Sequence, residues 1–399
     1  MSAASSVTRK HLFHLPEGVI YLDGNSLGPL PNAALVRMQE AMRHEWGDML
    51  IGGWNKAGWM AQPARIGDRI GKLIGAPEGS VVLGDTLSVK VYQALAAALA
   101  MRPDRKVVLS DSGNFPTDLY MAEGLIATLG QGHRLEVVDP EDIAARIGPD
   151  VAALMLTEVD YRTGRRHDMA ALTRAAQDAG AVAIWDLAHS AGALPIDLTA
   201  AGAEFAVGCT YKYLNGGPGA PAFIYVRPDL ADTVMPALQG WLGHDAPFAF
   251  EPAYRPAQGI ERMRVGTPPV LQMAALDAAL DLWDGVAMED VRAASIELSE
   301  RFIAGVEAAC PDLALASPRD PAMRGSQVSF RFEHGYEAMQ ALIAHGVIGD
   351  FRAPDIMRFG LTPLFLDTAD IDAAVSVLTR VIGEDMWRDP AYAKRSKVT

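Results

Sequence analysis

One lysine, Lys212, stands in the stretch Gly208-Cys209-Thr210-Tyr211-Lys212-Tyr213-Leu214-Asn215-Gly216-Gly217-Pro218-Gly219. The apolar Phe205-Ala206-Val207 before it reads as a buried strand, and the glycines after it let backbone approach a ligand closely. Upstream, the apolar run Ala181 to Trp185 ends in Asp186, and His189 follows three residues later. A lone lysine at a strand end is ordinarily a solvated charge. Paired with a strand-end aspartate it gains a specific chemistry: the amine can form an imine with an aldehyde, while the carboxylate keeps a ring nitrogen protonated. Those are the two requirements of pyridoxal phosphate, whose protonated pyridine draws off the electrons of a substrate carbanion.

The strings WDLAHSAG and CTYKYLNGGPG, occurring together at this spacing, resemble the kynureninases, pyridoxal-phosphate enzymes of the aspartate-aminotransferase fold, fold type I. Further matching stretches run from Tyr21 to Arg358, so the resemblance covers nearly the whole chain. It implies hydrolysis of L-kynurenine to anthranilate and L-alanine in a homodimer whose two chains build each site. It assigns Lys212 to the Schiff base and to removal of the substrate's α-proton, and Asp186 to the pyridine nitrogen. Tyr211 falls at a phosphate-contacting position and is placed to donate a proton to the alanine product. His189 is expected to hydrogen-bond near the cofactor or Asp186.

Other positions carry local signals that the resemblance sharpens. Ser80 to Asp85 reads as a strand and Thr86-Leu87-Ser88 as a helix start, where unpaired amides and the helix dipole favour an anion; an ordinary N-cap gives the same letters. The resemblance puts cofactor phosphate there, on Leu87 and Ser88. In Phe115-Pro116-Thr117-Asp118 it stacks the aromatic ring on the pyridine, and Thr157 matches another cofactor contact. Trp241 and Thr267 match residues that reach the phosphate region from the neighbouring subunit. Ser26, in the turn-rich Tyr21 to Pro31, is implied to reach substrate. Trp54, in a loop Gly52-Gly53-Trp54-Asn55, is implied to meet the aryl ring, with Gly266 and Thr267 bordering it, while Trp46 and Trp59 read as core aromatics. Arg358 is the implied carboxylate clamp by a bidentate pair, and nearby Arg352 is its rival.

These residues need a scaffold that gathers strand ends. Strands at Lys106 to Ser110, Arg134 to Val138, Val151 to Leu156, Ala181 to Trp185 and Phe205 to Val207, separated by helical patterns, predict an α/β fold with a mainly parallel sheet covered on both faces. Sites collect at the carboxyl ends of such strands. Phe223 to Val226 reads as antiparallel or edge. Helical periodicity from Val270 to Ala309, a strand at Gln327 to Phe332, and helices at Ala338 to Ala344 and Asp370 to Ile382 predict a smaller α+β C-terminal domain. The expected division is residues 1–52 as a segment associated with the small domain, 53–266 as the large domain and 267–399 as the small one.

The 399 residues are 50% hydrophobic, enough for two cores, and carry a formal charge of -14 without a basic cluster. That balance excludes nucleic acid and anionic membrane surfaces as expected partners. Two cysteines make no disulfide framework, and Met1 to Lys10 is polar, so a cytoplasmic protein is expected. No metal is expected, because His167, His189 and His244 lie on three loops without ligand spacing. The rival readings are a class V aminotransferase or cysteine desulfurase, and a non-catalytic cofactor-binding regulator. A desulfurase needs a mobile catalytic cysteine, and Cys209 and Cys310 both read as buried or inert.

Overall fold

The computed structural model describes residues 3–395. Its centre is a seven-stranded sheet formed by β1 (Val81–Leu83), β2 (Val107–Asp111), β3 (Arg134–Val138), β4 (Val151–Thr157), β5 (Val182–Asp186), β6 (Phe205–Gly208) and β7 (Phe223–Val226), in the spatial order β1-β7-β6-β5-β4-β2-β3. Strands β6, β5, β4, β2 and β3 are mutually parallel, and only β7 runs against its neighbours. The sequence predicts an antiparallel or edge strand at β7. It is antiparallel and lies inside the sheet, because β1 closes its outer side.

Alternation along each strand divides the core into two layers. Val108, Ile184 and Val207 pack with Val91, Leu95 and Leu125 of the helices Leu87–Met101 and Pro116–Leu129. Val107, Leu109 and Trp185 face the other way, against Ile66 and Ile70 and onward to the C-terminal residues Val328, Phe330 and Leu361. Both faces of the inner sheet are therefore covered, which is why its central strands are mainly apolar, whereas the edge strand β3 keeps Arg134 and Glu136.

The C-terminal part holds a four-stranded antiparallel sheet of β8 (Ala314–Leu315), β9 (Gln327–Arg331), β10 (Asp350–Arg352) and β11 (Ile356–Gly360), in the order β8-β9-β11-β10. Helices Met288–Ala309, Gly335–Ala344 and Thr368–Gly383 accompany it. The N-terminal segment joins this part: Ile20–Tyr21 pairs in parallel with Val347–Ile348, and the Gly360 amide donates to Leu22 O.

Three expectations are corrected. The stretch Val270 to Ala309 is not one helical run but Val270–Ala279, a tight turn at Leu280–Trp283, and Met288–Ala309, with Gly285 at φ +71° breaking it. Trp54 lies on a short helix, Gly53–Lys56, rather than a loop. Trp46 is not core: it is 56% exposed, on a wide helical turn, Ala41–Asp48, that buries only Ala41. Trp59 is partly buried, and its indole donates to Glu45. Among the described residues no helix is long and apolar enough to cross a membrane.

Candidate active site

The carboxyl ends of β1, β2, β4, β5 and β6 open on one side of the large sheet, and chemistry-bearing residues follow each of them. Asp186 is the last residue of β5 and sits directly across from Thr157, the last of β4. Its carboxylate is buried and accepts from the Ala188 amide at 2.8 Å. Burial raises its pKa, while the charge of Lys212 and the Ala188 amide pull it down. Asp118, on the first turn of Pro116–Leu129, has a buried carboxyl oxygen without a hydrogen-bond partner. Burial and the charge of Asp186 push Asp118 well upward, opposed by Lys212. Lys212, Asp186 and Asp118 thus share one dry neighbourhood.

Lys212 Nζ lies 2.9 Å from His189 Nε2. Burial, and then the charges of Lys212, Arg358 and Arg352, hold that imidazole well below its ordinary pKa. The ring is neutral, and its partner is the lysine rather than Asp186. Tyr211 lines a cavity of about 330 Å³ together with Ser26, Thr86, Leu87, Cys209 and Ala220. Burial keeps its phenol protonated.

Thr86 is extended ahead of the 15-residue helix Leu87–Met101, so the amides of Leu87 and Ser88 are among the first-turn donors with no acceptor inside the helix. Phe115 is 40% exposed and meets Tyr161 edge to face at 5.1 Å, while Asn114 fixes its backbone by accepting from the Phe115 amide. Pro116 and Thr117 open the following helix. The Thr157 hydroxyl donates to the Val159 and Asp186 carbonyls.

The N-terminal loop reaches this group across the sheet. Gly28 donates its amide to Tyr211 O, and a Cβ at Gly28 would stand 2.4 Å from Lys212 O. Only glycine allows that approach. Two residues earlier, Ser26 accepts from Arg358 Nη2 at 2.6 Å and donates to Asp350 at 3.1 Å. Arg358, 1% exposed on β11, also donates to Tyr161 O. Ser26, Phe115, Asp118, Thr157, Asp186, His189, Tyr211, Lys212 and Arg358 therefore gather at one place.

Trp54, Trp241, Gly266 and Thr267 form a second group. Trp54 meets Trp241 edge to face at 6.5 Å, and Trp241 meets Phe248 at 5.8 Å. Leu242 donates to Val265 O, and a Cβ on Gly240 would stand 2.1 Å from that same oxygen, which fixes Trp241 beside Gly266. Gly266 and Thr267 border a crevice with Gly84 and Asp85.

The sequence reading passed over Tyr161, Asp350 and Lys90. Lys90 is fully buried and donates to Asp85, Gln93 and Met263 O, tying the start of Leu87–Met101 to the segment that leads to Gly266. A lysine within the first turns of an otherwise apolar helix was the available signal. For Asp350 it was the alternation Asp350-x-Arg352 ahead of Arg358.

Among known proteins, the chain is 49% identical to the kynureninase of Pseudomonas fluorescens over 394 residues, covering 97% of this chain and 95% of that protein. The kynureninase of Burkholderia pseudomallei is 48% identical over the same length and coverage. The chain belongs to the kynureninase family. Residues 291–378 match the family model for the kynureninase C-terminal domain. Among solved structures, the apo cysteine desulfurase of Thermococcus onnurineus superposes with a TM-score of 0.79 at 18% identity, covering 96% of this chain and 99% of that one. The cystine C–S lyase C-DES, in complex with cysteine persulfide, does so with a TM-score of 0.77 at 18% identity, covering 91% and 98%. These likenesses establish the fold. In this kynureninase-family chain the thiols are no desulfurase nucleophiles: Cys209 and Cys310 are 3% and 1% exposed, and burial raises both above the ordinary thiol range.

Proposed function

We propose that the chain is a pyridoxal-phosphate-dependent hydrolase that cleaves the Cβ–Cγ bond of L-kynurenine, giving anthranilate and L-alanine. The observation that carries it is the joining of two groups in one place: a strand-end lysine with its buried aspartate, and an arginine with a serine across from them. The first suits the cofactor and the second suits an amino acid's carboxylate.

The donor set fits pyridoxal phosphate. Lys212 would hold the aldehyde carbon, Asp186 would serve the ring nitrogen, Phe115 would offer a ring face, and Leu87 and Ser88 would present helix-start amides to the phosphate. Pro116, Thr117, Asp118, Thr157, His189 and Tyr211 complete the cofactor's surroundings. When bound, the cofactor supplies an electron sink for the substrate's α-carbon.

The chain's own residues do the rest. Arg358 and Ser26 fix the α-carboxylate, which sets the α-proton toward Lys212. Lys212 removes that proton as the base, and neutral His189 accepts a hydrogen bond from its amine and so orients it. A water adds its hydroxyl to the aryl carbonyl carbon and releases its other proton, the Cβ–Cγ bond breaks so that this carbon leaves as the anthranilate carboxylate, Cβ takes a proton to become the methyl group of alanine, and Lys212 returns a proton to Cα. Tyr211, protonated by burial, is the donor assigned to Cβ.

We further propose that two copies share each site. Trp54 and Trp241 meet on one chain, Gly266 and Thr267 border Gly84 and Asp85, and apolar side chains, Val36, Trp46, Ile51, Phe248 and Phe250 among them, are exposed. A second copy that covers them would bring the tryptophans to the other chain's substrate. The unpaired cysteines favour a reducing, cytoplasmic setting. Mixing Lys212→Ala chains with Trp54→Ala chains tests the sharing: hybrids regain activity, because one of their two sites is then wild-type. A mixture no more active than its parents refutes it, and absence of equimolar anthranilate and alanine from the native protein refutes the reaction.

A further inference from the structure

Strands β10 and β11 are antiparallel, and their register sets Asp350 directly opposite Arg358. Side chains two apart share one face of a strand, so Arg352 stands beside Asp350. The three meet on one atom. Asp350 Oδ2 accepts from Arg358 Nη2 and, at 3.1 Å, from Ser26 Oγ, and it forms an ion pair with Arg352 Nη2 at 2.8 Å.

The remaining donors of the two arginines are informative. Arg358 Nη1 is used by Tyr161 O at 2.6 Å, and Arg352 Nη1 by Phe351 O at 3.4 Å. The Nε of each arginine is buried and has no hydrogen-bond partner. Two unpartnered, charged N–H donors beside one aspartate call for the oxygens of an anion. Charge says the same. Two guanidinium groups this close repel each other, and Asp350 both pairs them and cancels one charge. The neighbouring Asp23 carboxyl is pushed up to about 7 by burial and by Asp350, against the pull of Arg358, Ser26 and Arg352. Below that pH the cluster carries one net positive charge, which one carboxylate balances.

We propose that the substrate's α-carboxylate is held by Arg352 and Arg358 together, with Asp350 as the positioning residue that sets the two guanidinium groups as a pair. This rests on the kynurenine reading of the site and replaces a choice between the two arginines with a coupled pair. Asp350 acts through them and makes no contact with the reacting carbons.

The test compares L-kynurenine with the amine left when its α-carboxylate is removed, used as a competitive inhibitor of the holoenzyme. Asp350→Asn, Arg352→Lys and Arg358→Lys are each expected to raise KM roughly tenfold or more, with the amine's inhibition constant nearly unchanged. A parallel rise in KM and in the amine's inhibition constant for Asp350→Asn would mean a merely structural role and overturn the proposal. So would an unchanged KM in Asp350→Asn. If Arg358→Lys alone shows the carboxylate-dependent loss, the paired site falls while the kynurenine reading stands. If none of the three variants distinguishes the two ligands, that reading of the site fails as well. The Arg352 side chain is 35% exposed, so its variant keeps the test readable should Asp350→Asn not be recovered folded.

Discussion

Lys212 Nζ and His189 Nε2 are 2.9 Å apart, on a ring that burial and neighbouring positive charge keep neutral. A neutral imidazole whose Nε2 faces an amine is an acceptor there, so its proton belongs on Nδ1, which is buried. The histidine can steady the lysine amine in the proton-transfer step without adding a charge.

Lys212→Ala should therefore lose the absorbance of the lysine-linked cofactor and all kynurenine turnover. His189→Asn should keep that absorbance and lose about tenfold or more in kcat. Retention of near-normal kcat in His189→Asn would remove the histidine from proton handling.

Asp186→Asn preserves shape and removes the charge proposed to serve the ring nitrogen. Cofactor should remain bound while kcat falls on the order of a hundredfold or more. Bound-cofactor content and kcat measured on the same preparation decide it: an Asn variant with unreduced kcat contradicts the assignment.

Asp23 gives the site a pH dependence. Its carboxyl, pushed up to about 7, is neutral below that pH and ionised above it. Ionisation adds a second negative charge among Asp350, Arg352 and Arg358, so KM for L-kynurenine should rise as pH increases through about 7. The other groups around it are Ser26, Tyr21 and Tyr213, and burial holds both phenols above their ordinary range and neutral in this window. Asp23→Asn should flatten the profile. An identical pH profile in the variant assigns the effect elsewhere.

L-Kynurenine should be preferred over 3-hydroxykynurenine. Trp54 offers an indole ring without a hydrogen-bond acceptor for a phenol, and Gly266 has no side chain, so an added hydroxyl loses water without a full partner. The penalty is on the order of 1–3 kcal/mol, or roughly 5- to 150-fold in kcat/KM. A Cβ at Gly266 would meet nothing within 4 Å, so Gly266→Ser is accommodated and should narrow the gap. Equal kcat/KM values for the two substrates in the native protein would show that the aryl pocket is built otherwise.

Strand positions were legible because short runs rich in β-branched and apolar residues mark them: Arg134–Val138 and Phe223–Val226 fall where the sequence placed them, and the ends of the parallel strands β4, β5 and β6 carry Thr157, Asp186 and the Lys212 loop. What was not legible depends on partners far away in sequence. Trp46 has the composition of a core residue, yet its burial is decided by what packs over it, and among the described residues it stays 56% exposed. The Arg352 and Arg358 rivalry could not be resolved from spacing, because Asp350, the group that pairs them, is defined by strand register. His189 was expected near the cofactor or Asp186, and only the turn after β5 shows that it faces Lys212.

Hydrolysis in water enriched in oxygen-18 tests the Cβ–Cγ cleavage and the role of Lys212 together. Each anthranilate formed from L-kynurenine should carry one labelled oxygen in its carboxylate, alanine should form in equal amount, and Lys212→Ala should form neither. Unlabelled anthranilate, or full turnover by Lys212→Ala, would contradict that chemistry.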